Sequence, residues 1–180
     1  AGDFATTSAL TVTGAGAVDL GTAGAFKTID ASSASGGLTI AVATITTSAK
    51  GSTGNDVITS AATTATTAGL IDGGAGSDTI IVANVNQIDT AAEAAEIINF
   101  ETMRFNGTVD MSLQSADVTA VEISGATNDV SKMTATQAGA VKATADMGAS
   151  TYALTTATGT SDVLTLTLGT GLTTAESTEI

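Results

Sequence analysis

The sequence predicts an all-β protein, a parallel β-helix or β-roll solenoid with one or two short flanking α-helices. Short β-like runs recur at intervals of about one or two dozen residues, and Gly, Ser, Asn and Asp separate them. Aromatic residues make up only 3% of the 180 residues. Ala and Thr together supply roughly two fifths of the chain, far above ordinary usage. Such small side chains suit thin, regularly stacked coils better than a thick core.

The predicted strands are too short to form independent sheets, so strands of neighbouring coils must satisfy their backbone groups. In chain order they are Leu10 to Thr13, Phe26 to Ile29, Leu38 to Ile45, Val57 to Thr59, Thr79 to Val82, Thr102 to Phe105, Val118 to Ile123 and Val163 to Leu168. Their recurrence predicts one solenoid segment over residues 1–180.

Two helical signals interrupt the predicted strands. Asp89 and Thr90 can cap a helix over 91–97, in which acidic residues near the N-terminus interact favourably with the helix dipole. A second helix is predicted to start at Thr134 and to cover 135–142. We expect these helices to lie on the flank of the solenoid.

The hydropathy and the ends of the chain predict whether it enters a membrane and whether it belongs to a longer protein. No apolar run approaches the length of about 18 residues that is needed to cross a bilayer, so we predict no membrane insertion. The first residues, Ala1 to Asp3, lack the basic start of a signal peptide. Because the chain ends abruptly at Glu179 and Ile180, where a new apolar run would start, we expect it to be a segment of a longer protein.

The charge of the chain is strongly one-sided, with 18 acidic residues, 5 basic residues and a formal net charge of -13. We expect no nucleic-acid partner, because binding to phosphates depends on Lys and Arg. The acidic residues should instead attract cations, which would relieve their mutual repulsion. An acidic surface that only maintains solubility is the alternative explanation.

Missing residue types limit the chemistry that this segment can perform. The chain has no Cys and no His, which removes the usual zinc ligands and the commonest general base. Glu93 and Glu96 are three positions apart and more plausibly form a solvated helix face than an acid/base pair. No aromatic platform for sugars accompanies them. We therefore expect no enzymatic activity from this segment.

The strongest motif is Gly73-Gly74-Ala75-Gly76-Ser77-Asp78-Thr79-Ile80-Ile81. It matches the calcium-binding repeat G-G-x-G-x-D-x-U-x, in which U is a large aliphatic residue. The glycines permit backbone conformations that turn carbonyl oxygens towards a hard cation, and the aspartate adds a carboxylate. The predicted calcium (Ca2+) ligands of this copy are Gly73, Gly74, Ala75, Gly76 and Asp78.

A second copy runs from Gly51 to Thr59 and lacks only the second glycine. Its predicted metal ligands are Gly51, Thr53, Gly54 and Asp56. Asp56 and Asp78 lie 22 positions apart (78 minus 56), whereas a coil of two such repeats needs about 18 residues. We therefore predict one coil with a small insertion in the tract Ala61 to Gly69, which is either a loop or an added strand. This spacing would stack the two loops and allow one ion to bridge them.

Two weaker copies follow the same pattern. Gly159 to Thr165 keeps one glycine and the acid, and we include Asp162 among the predicted metal ligands. Gly125 to Val130 is weaker, with Asp129 as its candidate acid. Hairpin turns are the alternative explanation of such loops, since Asn-Asp and Gly-Gly are ordinary turn residues. Two near-complete copies at coil spacing favour the calcium hypothesis.

These motifs resemble the RTX repeats of proteins that Gram-negative bacteria export by type I secretion. The phrases Phe26 to Ser32, Ile98 to Phe105 and Val121 to Ser124 are similar to the strand units of surface-layer (S-layer) proteins in that group. The resemblance implies a parallel β-helix, calcium in the Gly-Asp loops and assembly into a lattice outside the outer membrane. RTX toxins and proteases usually carry long uninterrupted repeat arrays, so two good copies among irregular coils favour a surface-layer protein.

We therefore expect a secreted structural protein that binds calcium, folds outside the cell and self-associates on the cell surface. Cell-surface polysaccharide is a further partner to consider. An RTX adhesin or an ice-binding module is the alternative, because regular Thr-x-Thr ladders can order water. The pairs Thr11/Thr13, Thr44/Thr46 and Thr165/Thr167 are separated by 33 (44 minus 11) and 121 (165 minus 44) residues and define no single repeated face.

Overall fold

The computed structural model describes residues 8–22, 26–44, 46–61, 70–156 and 163–169. Over these residues the chain winds into a parallel β-solenoid of about seven turns with two short α-helices. The predicted fold class is therefore confirmed. No helix in this part of the chain is long and apolar enough to span a membrane.

Most of the strands contain three to five residues. They are β1 (Ser8–Gly14), β2 (Val18–Thr22), β3 (Phe26–Ala34), β4 (Leu38–Ala41), β5 (Ser48–Lys50), β6 (Val57–Thr59), β7 (Leu70–Asp72), β8 (Thr79–Ile81), β9 (Ile97–Ile98), β10 (Thr102–Phe105), β11 (Thr108–Asp110), β12 (Ala120–Ile123), β13 (Asp129–Met133), β14 (Val141–Ala143), β15 (Thr151–Leu154) and β16 (Leu166–Leu168). The helices are α1 (Ala91–Ala94) and α2 (Ala135–Ala138), and single 3₁₀ turns cover Val85–Gln87 and Met111–Leu113.

The strands form three parallel sheets. All even-numbered strands, β2 to β16, build one eight-stranded sheet. The odd-numbered strands β1 to β9 build a five-stranded sheet, and β11, β13 and β15 build a three-stranded sheet. Neighbouring strands in each sheet come from successive coils, so the backbone of each coil is satisfied by the coils on either side of it.

The core consists of apolar columns that run along the solenoid. The inward column of the eight-stranded sheet is Ile40, Ile58, Ile80, Met103, Val121 and Val141, and each of these residues is at most 1% exposed. The facing column of the five-stranded sheet is Ile29, Ala49, Ile71 and Ile97. Strands in a sheet lie about 4.8 Å apart, so each side chain packs on its equivalent in the next coil. A thin core can therefore form with few aromatic residues.

The predicted strands 57–59 and 102–105 have the bounds that the structure gives to β6 and β10. The predicted strand 38–45 is too long, because β4 ends at Ala41. Thr90 caps α1 as predicted, since its side chain accepts a hydrogen bond from the Glu93 backbone N–H, but the helix ends at Ala94.

The second predicted helix, 135–142, is wrong beyond Ala138. Thr134 starts α2 with a capping box, in which its side chain and that of Gln137 each accept a backbone N–H. Gly139 ends the helix, and Val141 then begins β14, where it pairs with Val121 and Leu166 of the adjacent coils. Pairing in the sheet therefore overrides the helical propensity of this stretch.

Candidate functional site

The two glycine-aspartate loops, 51–56 and 73–78, stack on each other at the corner that precedes β6 and β8. The Ala75 backbone N–H donates to the Ser52 carbonyl oxygen at 3.2 Å, which joins the loops directly. In the strands that follow, Val57 pairs with Thr79. The separation of 22 residues thus corresponds to one coil, as the sequence predicts. Residues 62–69 of the predicted insertion lie outside the described residues.

The glycines of these loops allow the backbones of adjacent coils to approach closely. A Cβ added at Gly51 would lie less than 3.0 Å from the Gly73 carbonyl oxygen, and one at Gly73 would meet the Asn99 carbonyl oxygen. A Cβ at Gly76, whose φ is 138°, would meet the Gly54 carbonyl oxygen. The glycine pattern is therefore required by coil stacking itself, and it lines the corner with backbone carbonyl groups.

Asp56 is buried and accepts hydrogen bonds from two backbone N–H groups and one hydroxyl. Its Oδ1 accepts the Leu38 backbone N–H from the preceding coil and the Ser52 hydroxyl at 2.8 Å. Its Oδ2 accepts the Ser52 backbone N–H at 2.6 Å. Both carboxylate oxygens of Asp56 therefore have donors within the protein.

Asp78 repeats only half of this arrangement. Its Oδ1 accepts the Asp56 backbone N–H at 2.7 Å, and Glu101 Oε2 accepts the Asp78 backbone N–H at 2.7 Å. We call Asp56, Asp78 and Glu101 the acid column, because each carboxylate accepts an N–H from the preceding coil. Asp78 is 1% exposed, and its Oδ2 has no hydrogen-bond donor among the residues that the structure describes.

The unpaired oxygen of Asp78 results from a local difference between the two loops. In the first loop the Ser52 N–H binds Asp56, but the equivalent Gly74 N–H donates to Asp72 Oδ1 at 3.0 Å instead. The Asn99 side-chain amide donates to the same oxygen at 2.7 Å. Asp72, Asn99 and Glu101 were not predicted from the sequence, since none of them belongs to the nine-residue motif.

The electrostatic environment of Asp78 disfavours its charged form. Burial raises the pKa of its carboxyl group to about 6, and the nearby carboxylates of Asp56, Glu101 and Asp72 act in the same direction. The hydrogen bond from the Asp56 N–H opposes this shift. The loop therefore holds a buried carboxyl group for which a cation would be a favourable neighbour.

A groove of about 280 Å³ opens beside the two loops. It is lined by Ser32, Lys50, Gly51, Ser52, Thr53, Asp72, Gly74, Ala75 and Asn99. The predicted ligands Gly51, Thr53, Gly74 and Ala75 thus border the groove, whereas Asp56 and Asp78 are buried and do not line it. Over the described ranges, no group of three or more acidic side chains is arranged to hold a metal ion.

The donor set nevertheless fits calcium in part. A hard cation prefers carboxylate and carbonyl oxygens, and both occur here. The position of a Cβ on Gly73 lies about 3.0 Å from Asp78 Oδ2 and in contact with the Asn99 carbonyl oxygen, so both oxygens face this corner. The Asp78 loop therefore offers a free carboxylate oxygen, whereas Asp56 would have to give up hydrogen bonds to serve as a ligand.

The weak copy at 125–130 differs from its predicted arrangement. Asn128, and not Asp129, directly precedes its strand as Asp56 and Asp78 do, because β13 starts at Asp129, but β13 belongs to the three-stranded sheet and not to the sheet of β6 and β8. Asn128 Oδ1 accepts the Gly107 backbone N–H of the preceding coil at 2.9 Å, and its Nδ2 donates to the Gly125 carbonyl oxygen at 2.7 Å. An uncharged amide thus joins the coils here, whereas the exposed Asp129 accepts the hydroxyl of Thr151.

Asp162, the predicted ligand of the other weak copy, lies outside the residues that the structure describes. Comparisons with protein-family models, with curated proteins and with solved structures find no match for this chain. The resemblance to RTX surface-layer proteins therefore rests on the sequence motifs and is compatible with the solenoid fold.

Proposed function

We propose that this chain is a structural, calcium-binding segment of a bacterial surface-layer protein. The observation that carries this proposal is the buried Asp78 Oδ2, which has no donor within the described part of the chain. A buried polar atom without a partner costs on the order of 1 to 3 kcal/mol, and more if it is charged. A calcium ion in the loop would supply the missing partner and would neutralise the carboxylate.

In this proposal, Asp78 provides the side-chain ligand, and carbonyl oxygens of the stacked loops provide further ligands. Asp56 keeps its three hydrogen bonds and holds the neighbouring coil in place. Calcium would supply a fixed positive charge at the corner, where the acid column concentrates negative charge. The role of the ion is therefore structural, and no catalytic step is assigned to it.

Further features support a location outside the cell. A net charge of -13 opposes compaction until cations bind. Extracellular calcium is abundant and cytosolic calcium is scarce, so export would couple ion binding to folding. The thin solenoid offers long faces for self-association into a lattice, and cell-surface polysaccharide is a second proposed partner.

A calcium titration of the full chain tests this proposal. We expect calcium at millimolar concentration to raise the melting temperature and to give a saturable heat of binding, while equal ionic strength from sodium chloride does not. Asp78→Asn should lose this response, and the exposed Asp146→Asn should keep it. The absence of binding heat and of any thermal shift in the wild-type protein would refute calcium binding.

A second candidate function, an ice-binding face, is favoured by one observation. Thr39, Val57, Thr79 and Thr102 occupy equivalent positions in four successive strands of the eight-stranded sheet, and each is at least partly exposed. Their side chains form a column at strand spacing of about 4.8 Å. The column is narrow, because its neighbour on the same face contains Ile81 and Arg104. A thermal-hysteresis measurement in calcium buffer distinguishes this function from lattice assembly.

A further inference from the structure

We propose that Asp72 and Asn99 are positioning residues that make the Asp78 loop, and not the Asp56 loop, the calcium site. They do so by holding the Gly74 N–H away from Asp78 Oδ2. This inference rests on the proposed calcium binding and specifies which loop takes the ion.

The two loops differ at one pair of equivalent residues. Ser52 and Gly74 are equivalent residues, each one position after the first glycine of its motif. The Ser52 N–H and hydroxyl both bind the Asp56 carboxylate, at 2.6 and 2.8 Å. The Gly74 N–H binds Asp72 Oδ1 and leaves the carboxylate of its own loop without that donor. The two loops are therefore alike in sequence but differ in whether a carboxylate oxygen is free.

Asn99 fixes the residue that diverts the Gly74 N–H. Its Nδ2 donates to Asp72 Oδ1 at 2.7 Å across one coil, and Lys50 Nζ lies 3.9 Å from Asp72 Oδ2 on the other side. Asp72 is thereby held between the preceding and the following coil. Its Oδ1 remains in position to accept the Gly74 N–H.

The backbone conformation of Asn99 also positions its carbonyl oxygen at the corner of the Asp78 loop. Its φ of 58° lies in the left-handed region, which asparagine tolerates better than most residues. Its carbonyl oxygen and Asp78 Oδ2 both lie near the position that a Cβ on Gly73 would occupy. Asn99 thus anchors Asp72 and contributes a carbonyl group to the same corner.

The test compares two substitutions of Asp72 in the full chain, with calcium binding measured by isothermal titration calorimetry. Both Asp72→Asn and Asp72→Ala remove the charge, but only asparagine keeps an oxygen that accepts the Gly74 N–H. We expect Asp72→Ala to bind calcium about fivefold more weakly than Asp72→Asn, the factor that corresponds to one ordinary hydrogen bond. In ¹⁵N-resolved NMR spectra without calcium, the Gly74 amide proton should move upfield in Asp72→Ala and stay near its wild-type position in Asp72→Asn.

Two further variants keep the inference testable. Ser52→Gly removes the hydroxyl that donates to Asp56 and accepts the Gly54 N–H, both within the Asp56 loop, so calcium affinity should stay within twofold of wild type. If Asp72→Ala does not fold, Asn99→Gly replaces it, because glycine adopts a positive φ readily and only the anchoring amide is lost. Weaker binding by Asn99→Gly supports the inference, and unchanged binding overturns it.

The outcomes separate this inference from the proposed function. If the wild-type protein binds no calcium, both fail. If it binds calcium and Asp72→Asn and Asp72→Ala bind equally well, only the positioning role is wrong. A loss of affinity in Ser52→Gly as large as that in Asp72→Ala would also overturn the assignment of the ion to the Asp78 loop.

Discussion

Glu122 accepts a hydrogen bond from Arg104 Nε at 2.7 Å, and this ion pair joins two successive coils. Lys142 of the following coil donates to the other carboxylate oxygen of Glu122 at 2.9 Å. The three residues are in register on β10, β12 and β14. The other ion pairs of the described residues, Lys50–Asp72 and Lys132–Asp110, also join different coils. Four of the 5 basic residues thus connect coils electrostatically.

We predict that Glu122→Gln destabilises the protein in a pH-dependent manner. Burial acts to raise the pKa of Glu122, but hydrogen bonds and charges of Lys142 and Arg104 lower it overall. The charged form therefore stabilises the folded state above the unfolded pKa of about 4.3, and this stabilisation is lost as the pH falls through the lower folded value. At pH 7 the free energy of unfolding should fall by about 1 kcal/mol, because the pair is only partly buried.

Urea denaturation of wild type and Glu122→Gln between pH 7 and pH 3 measures this difference. The two unfolding curves should converge at the acidic end, and high salt should reduce their separation at pH 7. Asp146→Asn, an exposed substitution of the same kind, is the control and should change the free energy of unfolding at pH 7 by less than about 0.5 kcal/mol. A difference between Glu122→Gln and wild type that persists at pH 3 would contradict the electrostatic explanation.

Asp78→Asn should stabilise the protein in chelator at pH 7, although it removes the proposed calcium ligand. Because burial raises the folded pKa of Asp78 to about 6, the contribution of Asp78 to the stability of the wild-type protein should fall as the pH rises from about 4 to about 6 and then level off. Asparagine keeps the oxygen that accepts the Asp56 N–H and has no charge to bury. The expected gain is on the order of 1 to 2 kcal/mol at pH 7.

Thermal melts with chelator at several pH values provide this measurement. Asp78→Ala serves as the matched control, because it removes both the charge and the acceptor of the Asp56 N–H. Asp78→Ala should be less stable than Asp78→Asn throughout the pH range. Equal stability of the two variants would mean that the hydrogen bond to the Asp56 N–H contributes nothing.

Asn128→Asp should destabilise the protein, whereas Asp78→Asn is expected to stabilise it in chelator. The Asn128 Nδ2 donates to the Gly125 carbonyl oxygen, and this donor is lost in the aspartate, which also places a charge at a position that is 2% exposed. We expect a loss of about 1 to 3 kcal/mol in the free energy of unfolding at pH 7. Chemical denaturation with and without calcium checks it, and a stability equal to that of wild type in chelator would contradict the structural role of the amide.

Gly73→Ala should be strongly destabilising, since the added Cβ would clash with the Asn99 carbonyl oxygen and contact Asp78. Gly16 provides the control, because no atom of the described residues lies within 4 Å of a Cβ at that position. Gly16→Ala should change the free energy of unfolding by less than about 1 kcal/mol, whereas Gly73→Ala should cost more than about 2 kcal/mol. Similar melting temperatures for the two variants would show that the coils can move apart at Gly73 without cost.

The sequence alone determined the repetitive part of the molecule. Short strands at regular intervals predict a parallel solenoid, because a coil that cannot satisfy its own backbone must pair with the next one. The 22-residue interval between Asp56 and Asp78 predicts that their loops stack, and Val57–Thr59 is a strand as expected. These features are local, or they repeat at a fixed period, so the chain displays them directly.

The tertiary structure decided which polar groups meet across the coils. Asn99 is 27 residues from Asp72, and Glu101 is 23 residues from Asp78, so their contacts depend on the register of strands and on irregular coil lengths. Register likewise placed Asn128 rather than Asp129 directly before β13, where it accepts the Gly107 N–H of the preceding coil. A shift of one residue turns a side chain from the interior to the surface of a coil, and only pairing between coils selects among such shifts.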